Sequence, residues 1–230
     1  MWVKICGITN LEDAHIAVDA GADAVGFVFY EKSPRKVDVE TAGNIAAQLP
    51  RRLEKVGVFV DQTAEQIRET VKRVGLGAVQ IHGATGVLAR QAAVPQALAG
   101  ESDGDNFGTT KLIVAISGDQ FANGVGISIT DHGKKHLYAV LVDSGNATNP
   151  GGTGRTFDWE QARGMVQGIG FTVPVIIAGG LNPVNVAEAV KLFQPFGVDV
   201  SSGVEARPGK KDPDKVRAFV EAARQAGKKE

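Results

Sequence analysis

The sequence predicts a (β/α)8 barrel of the TIM type, one domain over residues 1–230, on three observations. Eight short runs rich in β-branched residues recur along the chain, with helical sequence or room for it between them, which implies parallel β-α units. The first strand–helix junction, Cys6-Gly7-Ile8-Thr9, is no dinucleotide fingerprint, and this disfavours an open doubly wound sheet. Glycine-rich turns cluster after the sixth, seventh and eighth runs, where barrels of this kind often bind phosphate.

The strand candidates are Val3–Gly7, Ala24–Phe29, Lys55–Val60, Ala78–His82, Lys111–Ile116, Tyr138–Asp143, Val173–Ala178 and Val198–Ser201. Thr9-Asn10-Leu11-Glu12 is a capping-box pattern directly after the first strand, and Thr63-Ala64-Glu65-Gln66 is a second, opening a helix that stops at Gly75. Asn182-Pro183 and Asp212-Pro213 each put a capping side chain before a proline suited to the first helical position. The last helix, Asp214–Ala226, carries Val216, Phe219, Val220 and Ala223 on one face and meets Gly227. Irregular structure is expected near 100–136 and 144–154. Gly100–Thr110 has no apolar periodicity, and Ser117–Lys135 holds four glycines where the fifth helix should lie.

Composition narrows the partners. Hydrophobic residues make up 43% of the chain and charged residues 22%, which argues against disorder. The net charge of −1 provides no global field to recruit nucleic acid or an anionic membrane, and no apolar run approaches a membrane span. The basic pairs Arg51–Arg52, Lys134–Lys135 and Lys210–Lys211 read as solvated surface. A single cysteine, Cys6, excludes an intrachain disulfide and suits a reducing compartment. The start, MWVKICGITN, lacks a secretory pattern, so a cytoplasmic location is expected. The four histidines show no metal-site spacing, and no metal is expected.

In a barrel the active face lies at the carboxyl ends of the strands, where side chains alternate inward and outward. Lys4 and Cys6 share one face of the first strand and should point inward, because Val3 and Ile5 suit the layer beneath the helices. Gln80 and His82 share a face of the fourth strand, and the sixth runs apolar until Asp143. Taken singly, each has a plain structural reading. A free cysteine is commonly a small buried hydrophobe, a strand-end aspartate often caps a turn, and a loop arginine such as Arg35 is commonly a surface charge. Independent structural roles need not converge on one mouth, however. Gly151–Gly154, Ala178–Gly180 and Ser201–Gly203 add turns in which backbone N–H groups and hydroxyls can approach an anion.

With these residues assembled, the chain resembles the phosphoribosylanthranilate isomerase family. The resemblance rests on Lys4–Thr9, Gly21–Asp23, Gly26–Phe29, Ser33–Arg35, Val56–Val60 and Val79–Gly83. It continues through Val142–Ser144, Gly151–Gly154, Phe157–Trp159, Ala178–Pro183 and Asp199–Glu205. It implies a cofactor-free sugar rearrangement on a phosphorylated sugar–anthranilate substrate, by a monomer or homodimer. In that family's pattern Cys6 is the general base, Asp143 the general acid and Arg35 the carboxylate ligand. Gly179, Gly180, Ser201 and Ser202 would hold phosphate with help from Gly152 and Gly154, while Gln80 and Asp199 line the pocket.

Three departures stand out. Ala84 replaces the usual acidic residue after His82-Gly83, residues 84–136 match poorly, and Asn146–Pro150 reads as extra loop. A thiol titrates at roughly 8.5, so a cysteine base benefits from a nearby cation, and Lys4 is the candidate. Two other readings share much of this sequence. One is the related isomerase of histidine biosynthesis, alone or as a dual activity, which typically uses two aspartates and is disfavoured by Cys6. The other is a phosphate-ligand binding barrel without catalysis, disfavoured by the presence of both Cys6 and Asp143.

Overall fold

The computed structural model describes residues 1–82, 110–117, 137–144 and 158–228. Eight parallel strands close into a barrel in chain order, and β8 pairs back onto β1. They are β1 (Trp2–Cys6), β2 (Ala24–Val28), β3 (Glu54–Phe59), β4 (Ala78–Ile81), β5 (Lys111–Ser117), β6 (Leu137–Asp143), β7 (Val175–Ile177) and β8 (Gly197–Val200). The described helices are α1 (Leu11–Asp19), α2 (Val39–Ala47), α3 (Ala64–Val74), α4 (Trp159–Gly170), α5 (Val186–Phe193) and α6 (Pro213–Ala226).

Strand alternation sorts the side chains into two shells. Val3, Ile5, Val25, Phe27, Val79, Ile81, Val140 and Val142 face outward into the layer shared with the helices. Ala24, Val56, Ala78, Ile113, Ala139, Leu141 and Ile176 fill the barrel interior. The helices present matching faces, as with Ile67, Val71 and Val74 on α3 and Val216, Phe219, Val220 and Ala223 on α6. Fully burying each Val, Ile or Phe side chain is worth roughly 1.5–3 kcal/mol, so the outer shell supplies much of the driving force for closure. Lys4, Gln80 and Asp199 are polar exceptions inside, and all three are buried. The inward placement expected of Lys4 and Cys6 holds.

The helix caps follow the sequence with two shifts. Thr63 and Gln66 form the reciprocal box, Gly75 ends α3 at φ +72°, and Asp212 caps α6 ahead of Pro213. For α1, Asn10 is the cap and accepts from the Asp13 N–H, while the Thr9 hydroxyl donates to the Gly209 carbonyl. Asn182 likewise closes a turn by accepting from the Val184 and Asn185 N–H groups, so the helix starts one turn late, at Val186.

A further element follows β8. A three-residue 3-10 turn (Ser202–Val204) leads into an antiparallel hairpin of β9 (Glu205–Arg207) and β10 (Lys210–Lys211). The expectation that Lys210–Lys211 is solvated is corrected here, because Lys211 is 1% exposed. Its backbone N–H donates to the buried Asp13 of α1, which folds the side chain beneath the hairpin. Most of the segments expected to be irregular, and the glycines Gly152 and Gly154, lie outside the described residues.

Candidate active site

Cys6 ends β1 inside the barrel mouth, packed with Val28, Val58 and Tyr30. Gly26, its partner on β2, makes the room. A Cβ there would lie 2.7 Å from the Cys6 sulfur and 3.0 Å from the Lys4 Cε. Two residues earlier on β1, the Lys4 ammonium donates to Asp199 Oδ1 at 2.9 Å and to Gln80 Oε1 at 3.0 Å. Gln80 thus faces the interior as expected, and Asp199 is tied directly to the cation beside the thiol.

The charges in this cluster are strongly interdependent. Burial opposes the Lys4 charge, but Asp199 and Cys6 more than offset it and hold the ammonium above its ordinary range. Burial also pushes the Cys6 thiol up. Lys4 pulls it down as expected, yet Asp199 adds to the rise, and burial prevails. Without substrate, then, the thiol favours its protonated form.

His82 follows β4 with 8% exposure, and burial, reinforced by the Lys4 charge, lowers its pKa to about 4. Its imidazole is neutral near pH 7. Between about pH 4 and 6.5 the unfolded chain binds a proton that the folded chain refuses, so stability rises with pH across that window. The full gain is up to about 3 kcal/mol. Urea titrations at pH 4.5 and 6.5 should show it, and His82→Gln should remove that part of the pH dependence.

Around the mouth, a small cleft gathers Asp143, Gly179, Gly180, Asp199, Ser201 and Ser202, bringing six predicted site residues together. Gly179 and Gly180 have φ of +77° and +67°, the left-handed region that favours glycine. A Cβ on Gly179 would fall 2.2 Å from the Ser144 amide nitrogen, and one on Gly203 would strike the Leu181 carbonyl oxygen. Both glycines are therefore needed for the β6, β7 and β8 turns to pack so closely. Among the described residues, the hydroxyls of Ser144 and Ser201 are buried without a partner, which leaves them able to donate to an incoming acceptor. Ser144 carries no site signal in the sequence beyond its place directly after Asp143.

Arg35 reaches the same mouth from the loop after β2. Its stem crosses Gly7, where a Cβ would lie 2.7 Å from Arg35 Cδ and 2.9 Å from Ser201 Oγ. Its Nε and Nη2 each donate to the Glu205 carboxylate at 2.8 Å.

The family comparison adds chemistry to this geometry. Residues 3–222 match the family model described as N-(5'phosphoribosyl)anthranilate (PRA) isomerase. The chain belongs to this family. A phosphoribosylanthranilate isomerase from Pelobacter propionicus is 42% identical over 223 residues, covering 97% of this chain and 95% of the relative. The crystal structure of the phosphoribosylanthranilate isomerase from Thermotoga maritima superposes with a TM-score of 0.76 at 36% identity, covering 98% of this chain and 99% of that one. A further isomerase structure, solved with reduced 1-(o-carboxyphenylamino)-1-deoxyribulose 5-phosphate, gives 0.75 at 35% identity, covering 98% and 99%. Among the described residues, no helix is long and apolar enough to cross a membrane.

Proposed function

We propose that the chain, one domain acting as a cytoplasmic monomer or homodimer, carries out its family's reaction with Cys6 as base and Asp143 as acid. That reaction is the Amadori rearrangement of N-(5′-phosphoribosyl)anthranilate to 1-(2-carboxyphenylamino)-1-deoxyribulose 5-phosphate. Asp143 gives its proton to the furanose ring oxygen as the C1′–O bond breaks, and the nitrogen lone pair forms the protonated Schiff base. Cys6 as thiolate takes the proton from C2′. The released electron pair makes the C1′=C2′ bond and neutralises the nitrogen. The enolamine then gains a proton at C1′ and loses the C2′ hydroxyl proton, giving the ketone.

The supporting observation is that Asp199 links the surroundings of the two groups. The thiol is buried beside a lysine that stays cationic, and the acid ends β6 at the cleft shared with Asp199. Lys4 stabilises the thiolate once formed, while Asp199 keeps Lys4 charged. Gly179, Gly180, Ser201 and Ser202, with Gly152 and Gly154, hold the phosphate through N–H and hydroxyl donors. The test is loss of anthranilate-adduct fluorescence on adding the purified protein. Decay far above the spontaneous rate is expected, and decay at the spontaneous rate would refute the assignment.

Arg35 receives the anthranilate carboxylate. A guanidinium offers a carboxylate two parallel donors, which a lysine cannot reproduce. Arg35→Lys should weaken binding of the carboxylate-bearing product by at least ~10-fold, the weight of one charge-assisted hydrogen bond, and leave inorganic phosphate nearly unaffected. Calorimetric titration of both ligands gives the comparison, and equal losses would contradict the role.

A further inference from the structure

We infer that Glu205 is a positioning residue that holds the side face of Arg35 and leaves its end face open for the substrate carboxylate, with Lys211 locking Glu205 in place. The inference rests on the substrate reading of Arg35 above. A guanidinium has two forks: Nε with one Nη, and the two Nη groups together. Glu205 takes the first, with Nε on Oε1 and Nη2 on Oε2 at 2.8 Å each. That pairing fixes the plane of the guanidinium and leaves the Nη1–Nη2 fork directed away from Glu205. A second carboxylate can therefore bind without displacing the first.

Glu205 is itself over-determined. Its Oε1 also accepts from Lys211 Nζ at 3.0 Å and from the Gly209 N–H at 3.3 Å. Lys211 Nζ donates in addition to the Ser201 carbonyl at 3.2 Å. The Glu205 carboxylate thus ties the loop after β2 to the β9–β10 hairpin, and Lys211 extends the link to the turn after β8. Two cations share this single buried anion, so the cluster has room electrostatically for another negative group at its open side. The same lysine that braces Glu205 holds the carbonyl of the proposed phosphate turn, which couples the two ends of the substrate site. Burial works against the Glu205 charge, but Arg35 and Lys211 outweigh it and hold the carboxyl below its ordinary range.

The experiment compares two probes by calorimetry: reduced 1-(o-carboxyphenylamino)-1-deoxyribulose 5-phosphate and the same compound without its carboxyl group. The affinity ratio between them measures the carboxylate contact alone. Glu205→Gln should shrink that ratio by at least ~10-fold, the weight of one charge-assisted hydrogen bond. In an Arg35→Lys background the same change should alter the ratio little, because the two residues act as a unit. Glu205→Asp, which keeps the charge, should restore part of the ratio and covers the case in which Glu205→Gln folds poorly. An unchanged ratio in Glu205→Gln, or independent losses in the double variant, would overturn the inference while leaving Arg35 as the ligand. A wild-type ratio near one would instead remove the carboxylate role of Arg35, and this inference with it.

Discussion

Cys6→Ala and Asp143→Asn should each lower turnover by at least ~10²-fold, the smaller end of what a positioned acid or base contributes. Neither change should unfold the protein. The Cys6 side chain is small, and the neighbours that enclose it, Gly26, Val28 and Val58, are part of the barrel wall. Removing its sulfur opens about one atom's volume, which costs far less than the large-to-small truncations that destabilise cores. Asp143→Asn keeps shape and hydrogen-bonding capacity but cannot deliver a proton. The two losses should also not add, because an intermediate that is never formed cannot be rescued by the other group. Steady-state fluorescence assays on the single and double variants, with circular dichroism to confirm folding, decide this. A single variant retaining near-native turnover would remove that residue from the chemistry.

Gly179→Ala should be nearly as damaging, for a reason rooted in the backbone. At φ +77° an alanine is strained, and its Cβ would lie 2.2 Å from the Ser144 amide nitrogen, a backbone atom that cannot swing aside. The turn must open, and its donors then lose their convergence on the phosphate. Each N–H bond to a charged oxygen contributes roughly 1.5–3 kcal/mol, so losing two should weaken phosphate binding by ~10²-fold or more. Lys210→Ala is the contrast. Its ammonium is partly exposed and pairs with Glu12 and Asp13, so screening should leave phosphate affinity within a few-fold. Competition by inorganic phosphate measures both. A large loss for Lys210→Ala with Gly179→Ala unaffected would replace the backbone cradle by a charge clamp.

Lys211 does not fall with Lys210, and the difference shows where sequence reading reaches its limit. The inward face of β1 was legible because Val3 and Ile5 leave Lys4 and Cys6 no other side. The tight turn after β7 was legible because Gly179 and Gly180 sit together at a strand end, where glycine lets backbone approach closely. By contrast, Lys210–Lys211 looks like solvated charge until a three-residue β9 and a two-residue β10 fold it against α1. Strands that short carry no periodicity to detect. Glu205 closes the Asp199–Glu205 motif, but nothing local pairs it with Arg35, 170 residues away in sequence. The cap of α1 moved from Thr9 to Asn10 for a similar reason. Both side chains can cap, and the distant Gly209 carbonyl claimed the threonine. Local chemistry was readable; contacts brought together by barrel closure were not.

Removal of the C2′ proton by a base on β1 is tested most directly with substrate deuterated at C2′. Under single-turnover conditions with the wild-type protein, deuterium should appear at least partly in the solvent as the thiol exchanges before the enolamine is protonated at C1′. Cys6→Ala should release the label no faster than substrate alone. Complete retention of deuterium at C1′ in the wild type, with Cys6→Ala converting substrate at a comparable rate, would point to migration within the sugar and contradict the account.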